Sequence, residues 1–255
     1  MKTDTMASDI RRALAAKGFA SGVAAMTLML AIASIETLIS GLSAKQPLPN
    51  GFHTQLILSA LASDDVALAL PILCALPFTT AFVDDIKSGY IRQYLPRAGV
   101  RGYILGKLIA CGLSGGLVLV AGLAAAYGLA ALGLTPMELA PLPDAVVQPV
   151  WPELTLNALI LFCSGALWSL VGFTLASLTM SRYIAYASPF VVYYVLIILH
   201  ERYFKQFFVL YPKEWLVRSH DWMLNGYGIP LLLLELAAIM GLACALVIKR
   251  RLEHV

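Results

Sequence analysis

The chain has 255 residues, 60% of them apolar and 13% charged, with a net charge of +3, where soluble domains run at roughly 45–50% and about 25%. A mean hydropathy of +0.80 excludes an intrinsically disordered chain, and so small a net charge excludes the basic field of a nucleic-acid binder. These quantities describe an all-α, polytopic membrane protein with one membrane domain and no soluble one.

The chain opens on SDIRRALAAKGF, which reads as an amphipathic interfacial helix. Ser8 or Asp9 can cap it, Ile10 and Leu14 share a face, and its basic residues suit lipid headgroups. A basic start followed by Ala31-Ile32-Ala33 also has the outline of a signal peptide. The apolar run from Gly18 to Ile39 exceeds a signal core, however, and is long enough to span. A bilayer core about 30 Å thick takes about 20 helical residues. On that measure spans are expected at about 18–39, 66–83, 103–126, 155–179, 183–199 and 228–248. Pro71 and Pro77 lie in the second, which a membrane helix tolerates.

Residues 84–101, DDIKSGYIRQYLPRAGVR, follow the second span. Ile86, Tyr90, Ile91, Tyr94 and Leu95 recur with helical spacing, which predicts one short amphipathic helix over 84–95. Asp84 and Asp85 at its start suit the positive end of the helix dipole, and Pro96 and Gly99 end it. Either it is a charged interfacial loop, or its polar face docks on a soluble partner. On the third span Gly102/Gly106 and Gly112/Gly116 give G-x-x-x-G spacing, which permits close helix contact.

The loop from Thr135 to Pro152 has no Lys or Arg, and only a short turn before Arg182 separates the fourth and fifth spans, making them a tight hairpin. The segment His200–Gly228 interleaves Tyr203, Phe204, Phe207, Phe208, Tyr211, Trp215 and Trp222 with Arg202, Lys205, Lys213 and Arg218. It reads as an interfacial aromatic belt or as two short helices dipping into the outer leaflet, broken near Tyr211-Pro212. Of the 18 Lys and Arg, Lys45, Arg202, Lys205, Lys213 and Arg218 fall on one side and the remaining 13 on the other. The excess side is cytoplasmic, so both termini are expected inside.

Ionisable residues within spans are functional candidates by default. Glu36 and Glu235 lie at similar depth toward the outer face, where they either line a substrate pathway or snorkel to the interface. The four cysteines (Cys74, Cys111, Cys163, Cys244) sit in apolar stretches and read as small hydrophobes. His53, His200, His220 and His254 share no ligand spacing. Ser164-Gly165 matches only part of an intramembrane serine-protease site, since position 162 is Phe. HExxH and Walker A signatures are absent, so catalysis, a metal or a cofactor on this chain is not expected.

Asp85, Gly89, Pro96, Arg101, Gly106 and Lys107, together with the six-span plan, resemble the permease subunits of ABC-2-type ABC transporters. Asp85 stands where that family usually has Glu, and Tyr90 where Thr is common. The resemblance implies an N-terminal elbow helix, a cytoplasmic coupling helix between spans two and three, and external re-entrant helices between spans five and six. It implies a second permease, identical or paralogous, and two separate ATP-binding subunits that carry the ATP and Mg. Asp85, Lys87, Gly89, Tyr90, Arg92, Tyr94, Pro96 and Arg101 would then form the ATPase-coupling site, and Glu36 and Glu235 would meet substrate. The expected function is export of an amphipathic or hydrophobic substrate (a lipid, peptide or drug) across a bacterial plasma or inner membrane. Two other classes fit the composition: an ion-gradient-driven secondary transporter, and a non-transporting assembly or immunity protein.

Overall fold

The computed structural model describes residues 2–43, 48–139, 151–218, 220 and 222–253; Lys45, most of the Lys- and Arg-free loop, and His254 lie outside them. Among the described residues the chain is helix and turn, apart from one isolated bridge between Leu48 and Glu138. The helices are α1 (Lys2–Leu14), α2 (Lys17–Ser43), α3 (Phe52–Leu61), α4 (Asp64–Leu73), α5 (Ala81–Lys87), α6 (Tyr90–Leu134), α7 (Trp151–Thr179), α8 (Arg182–Arg202), α9 (Glu214–Val217) and α10 (Gly228–Leu252).

Five helical stretches are long and apolar enough to cross a membrane, six if α3 and α4 count as one bent span. Helices are the expected solution, because lipid offers no partner to an open backbone N–H or C=O. The central helix is α7: 72% of its most apolar window is buried, against 17–33% for the other four. It packs on α6, α8 and α10, while α2 lies on the far side of α6 and also meets α3 and α4. Gly115 on α6 faces the backbone of Gly165 on α7 so closely that a Cβ on either would strike the other's carbonyl oxygen. Met180, at φ 54°, supplies the left-handed residue that reverses α7 into α8. The end of α10 returns to the start of the chain, since Ile248 and Ala13 share one buried cluster.

Two sequence expectations change. No continuous helix runs over 66–83: α4 ends at Leu73 and α5 begins at Ala81, and α4 joins α3 at a bend of 69°, the geometry of a broken span or a re-entrant loop. Ser63 Oγ accepts from Val66 N at 3.4 Å to cap α4, and Asp64 and Asp65 fill its first turn, where carboxylates meet the positive end of the dipole. The chain therefore starts a new helix where an uninterrupted span would continue. Near the other end Pro71 lacks an N–H, α4 stops at Leu73, and turns lead to α5.

The second change concerns residues 84–95, which are two helices and not one. Gly89 lies at φ 72°, ψ 4° between α5 and α6, in the left-handed region that glycine enters without a Cβ penalty. Pro96 does not end the helix that follows. The break falls at Gly99, at φ 69°, ψ 157°, a conformation essentially confined to glycine. Thus α6 consists of a short arm before Gly99 and a long spanning arm after it.

Candidate functional site

At the end of the bundle where α1 meets the last turns of α10, α1, α5 and α6 come together around one buried lysine. Lys107, eight residues into the long arm of α6, is fully buried. Its Nζ lies 2.8 Å from Asp9 Oδ1 on α1 and 2.7 Å from Asp85 Oδ2 on α5. Arg12 Nη1 donates to Asp85 Oδ1 at 2.9 Å. Tyr103 donates to Asp85 Oδ2 at 3.0 Å, and Tyr94 to Asp9 Oδ2 at 3.2 Å. Two carboxylates and two cations thus cancel, and the tyrosines occupy remaining acceptor positions. An unpaired charge there would be untenable, whereas a fully paired and hydrogen-bonded set survives burial.

Local sequence explains each position. Asp9 and Arg12 lie one helical turn apart on α1 and so share a face. Tyr103 and Lys107 do the same on α6. Gly106 keeps that surface low, since a Cβ would stand 3.0 Å from Asp9 Oδ2. The rings of Phe78, Tyr94 and Tyr103 lie 5.2–5.9 Å from Lys107 Nζ, close enough for cation–π attraction. Arg12 stacks over Tyr90 at 5.7 Å. Burial alone would lower the pKa of Arg12, but its hydrogen bond to Asp85 and the Asp85 and Asp9 charges raise it.

The residues predicted to form a contact surface therefore divide into two sets. Asp85 is fully buried and Tyr94 partly so, both turned into the ion cluster. Lys87, Arg92, Pro96 and Arg101 are exposed, with Tyr90 40% exposed. Gly89 supplies the turn between α5 and α6. Asp84 leaves the group to pair with Arg182 at the start of α8. Asp9, a candidate cap by its sequence position, and Arg12, a candidate headgroup contact, are instead half of the cluster. The available hint was that Asp9 and Asp85 are acids close to apolar spans, each needing a cation.

Glu36 and Glu235 are not brought together. Both are exposed on the outside of the bundle, on helices whose chief partners differ: α2 packs on α6, α3 and α4, and α10 on α7 and α6.

The opposite end is held differently. Glu138, just past α6, accepts from Gly51 N at 3.0 Å and His53 N at 2.7 Å, and its Oε1 lies 2.7 Å from His53 Nδ1. It thereby caps the start of α3 from a distant part of the chain. Those hydrogen bonds and the His53 charge hold its pKa below the usual carboxylate range, against the opposing effect of burial. Among the described residues, the segment between α8 and α10 forms no pair of dipping α-helices. It contains the single turn α9 between 3₁₀ turns at Phe208–Leu210 and Met223–Gly226. It still enters the bundle, for Trp215 is 2% exposed and its ring lies 6.1 Å from that of Trp168. Trp168 precedes the end of α7 by 11 residues, about 16 Å at 1.5 Å per residue, so this contact lies well inside the bundle and away from that end. Lys213 reaches Asp64 at the α3–α4 bend, 2.9 Å away. Tyr203, Phe204 and Phe207 remain 53–70% exposed, as an interfacial belt requires.

Among the described residues no three His, Cys, Asp or Glu side chains converge as metal ligands, and the four cysteines are buried and free. The chain matches no family model, no curated protein and no solved structure.

Proposed function

We propose that the chain is the membrane-spanning permease subunit of an ATP-driven transporter, an exporter of an amphipathic or hydrophobic substrate. The observation that supports this best is the block made of α1, α5 and the short arm of α6. Its inner side is cross-linked by Asp9, Arg12, Asp85 and Lys107, while Lys87, Ser88, Arg92 and Gln93 are exposed. A displacement applied to that exposed side is carried by ion pairs directly into the long arm of α6. A transmission element needs this combination of polar exterior and stiff charged interior.

On this reading α1 is the elbow helix, and α5 with the short arm of α6 forms the coupling element on the cytoplasmic side. Two ATPase subunits, which bind the ATP and Mg, contact Lys87, Tyr90 and Arg92, with Arg101 and Pro96 at the edge of the surface. Asp85 and Tyr94 serve from inside, fixing the block to Lys107 and Asp9. Gly89 and Gly99 are its corners. Glu36 and Glu235, exposed on the outside of one subunit, face the pathway between this permease and a second one, identical or paralogous. The test is co-purification with ATP-binding subunits encoded nearby. Reversing the exposed charges (Lys87→Glu with Arg92→Glu) releases the ATPase while leaving the permease folded. Retained association and hydrolysis in that variant would reject the coupling assignment.

The α3–α4 bend favours a second reading. A broken span with Asp64 and Asp65 at the start of its inner half, and Lys213 against Asp64, is the kind of site ion-coupled secondary transporters use. Transport that persists without ATP but collapses with the proton or sodium gradient, and is abolished by Asp64→Asn, selects this reading.

A further inference from the structure

We propose that the groove between α5, the α7–α8 turn and the last turns of α10 binds one anionic phospholipid, with Arg250 holding its phosphate. The groove measures about 620 Å³ and is walled by Ile86, Leu178, Met180 and Leu246, with Arg250 and Arg251 at one end. Apolar walls with a cationic mouth match an amphiphile that has an anionic head.

The two arginines have different duties. Arg251 Nη2 donates to Leu178 O in the last turn of α7, where a cation meets the negative end of the helix dipole. Arg182 is engaged by Asp84. Arg250 makes no hydrogen bond or ion pair with any described residue and is exposed. One guanidinium therefore remains for an external anion.

Depth selects a lipid over a soluble anion. Lys249, Arg250 and Arg251 close the 25-residue α10, placing the free guanidinium at the level of headgroup phosphates once the helix spans. From there Ala243 and Leu246 lead one to two turns toward the middle of the bilayer, alongside the course of an acyl chain. Leu246 is 64% exposed, which lipid would cover. This inference is independent of whether the chain is a permease.

The test uses the full-length protein in neutral detergent micelles, with thermal unfolding followed by tryptophan fluorescence. Phosphatidylglycerol is expected to raise Tm saturably, while phosphatidylcholine and inorganic phosphate do not. Arg250→Gln should weaken the half-saturation by about fivefold or more. Arg92→Gln, beside the separate groove of Ile91, Leu95 and Val100, should leave it unchanged. Ala243→Trp fills the acyl end without altering charge and should also weaken the effect. Native mass spectrometry, counting one retained phosphatidylglycerol on the wild type and a smaller lipid-bound fraction on Arg250→Gln, covers the case in which a variant is itself less stable. An equal shift with phosphatidylcholine, or with phosphate alone, overturns the proposal, as does an undiminished phosphatidylglycerol effect in both variants.

Discussion

The two ends of the bundle solve the same problem, joining segments distant in sequence, with different chemistry. At the α1 end, Lys107 sits between Asp9 and Asp85, 98 residues from one and 22 from the other, with Arg12 closing the set. At the opposite end Glu138 binds the backbone N–H groups of Gly51 and His53, and Lys213 meets a largely exposed Asp64. One end relies on mutual charge compensation inside the protein, the other on a carboxylate capping a helix and on a partly exposed pair. Removing one member should consequently be far more damaging at the first end, because the partner charges stay buried.

Lys107→Met is expected to have the largest effect. It leaves Asp9 and Asp85 in the interior with Arg12 alone and should cost about 3–5 kcal/mol, read as a lowered midpoint in denaturant unfolding from micelles. Adding Asp9→Leu to Lys107→Met should recover part of that loss, the two sites being coupled. If Lys107→Met costs no more than a surface substitution, the contrast between the ends disappears.

Gly99→Ala should cost about 1–3 kcal/mol, because its backbone angles exclude a side chain although no atom crowds the site. Gly89→Ala should cost less, about 1–2 kcal/mol, since other residues do enter the left-handed helical region. An equal cost at the two glycines, measured by the same unfolding assay, would mean that the arms of α6 relax around Gly99.

Glu138→Gln should cost about 1.5–3 kcal/mol, the range for hydrogen bonds to charged groups. Its folded pKa is depressed, so its stabilisation is complete above the ordinary carboxylate value of about 4.3. That contribution is lost as pH falls through the lower folded value. An acid-unfolding profile that is unchanged in the variant would remove Glu138 from the clamp.

The smallest effect belongs to Lys213→Gln, at about 0.2–1 kcal/mol. The hydrogen bond and charge of Asp64 raise the Lys213 pKa, so the pair contributes below about pH 10.4 and fades as pH rises through the higher folded value. Salt should diminish the difference further.

The apolar stretches, the tight α7–α8 reversal and the break after Pro96 were legible because each depends on local composition or on one residue's allowed backbone angles. The α3–α4 bend was not, because the ten residues of α3 are too few to register as a span. The continuous 84–95 helix was misread because Gly89 interrupts an apolar spacing that remains helical on paper. In the cluster, Asp85 and Lys107 were singled out together only through the resemblance to the permease family. Their partnership with Asp9 and Arg12 was not legible, because a contact across 73 to 98 residues leaves no spacing to read.

Sequence alone determined the solvent this chain requires, since 60% apolar residues in runs of about 20 leave helices in a bilayer as the way to satisfy the backbone. Only the tertiary structure decided what the scarce charges do. Attraction between buried charges is set by distance through space, so whether Asp85 faces a partner or a lysine depends on how α1, α5 and α6 pack.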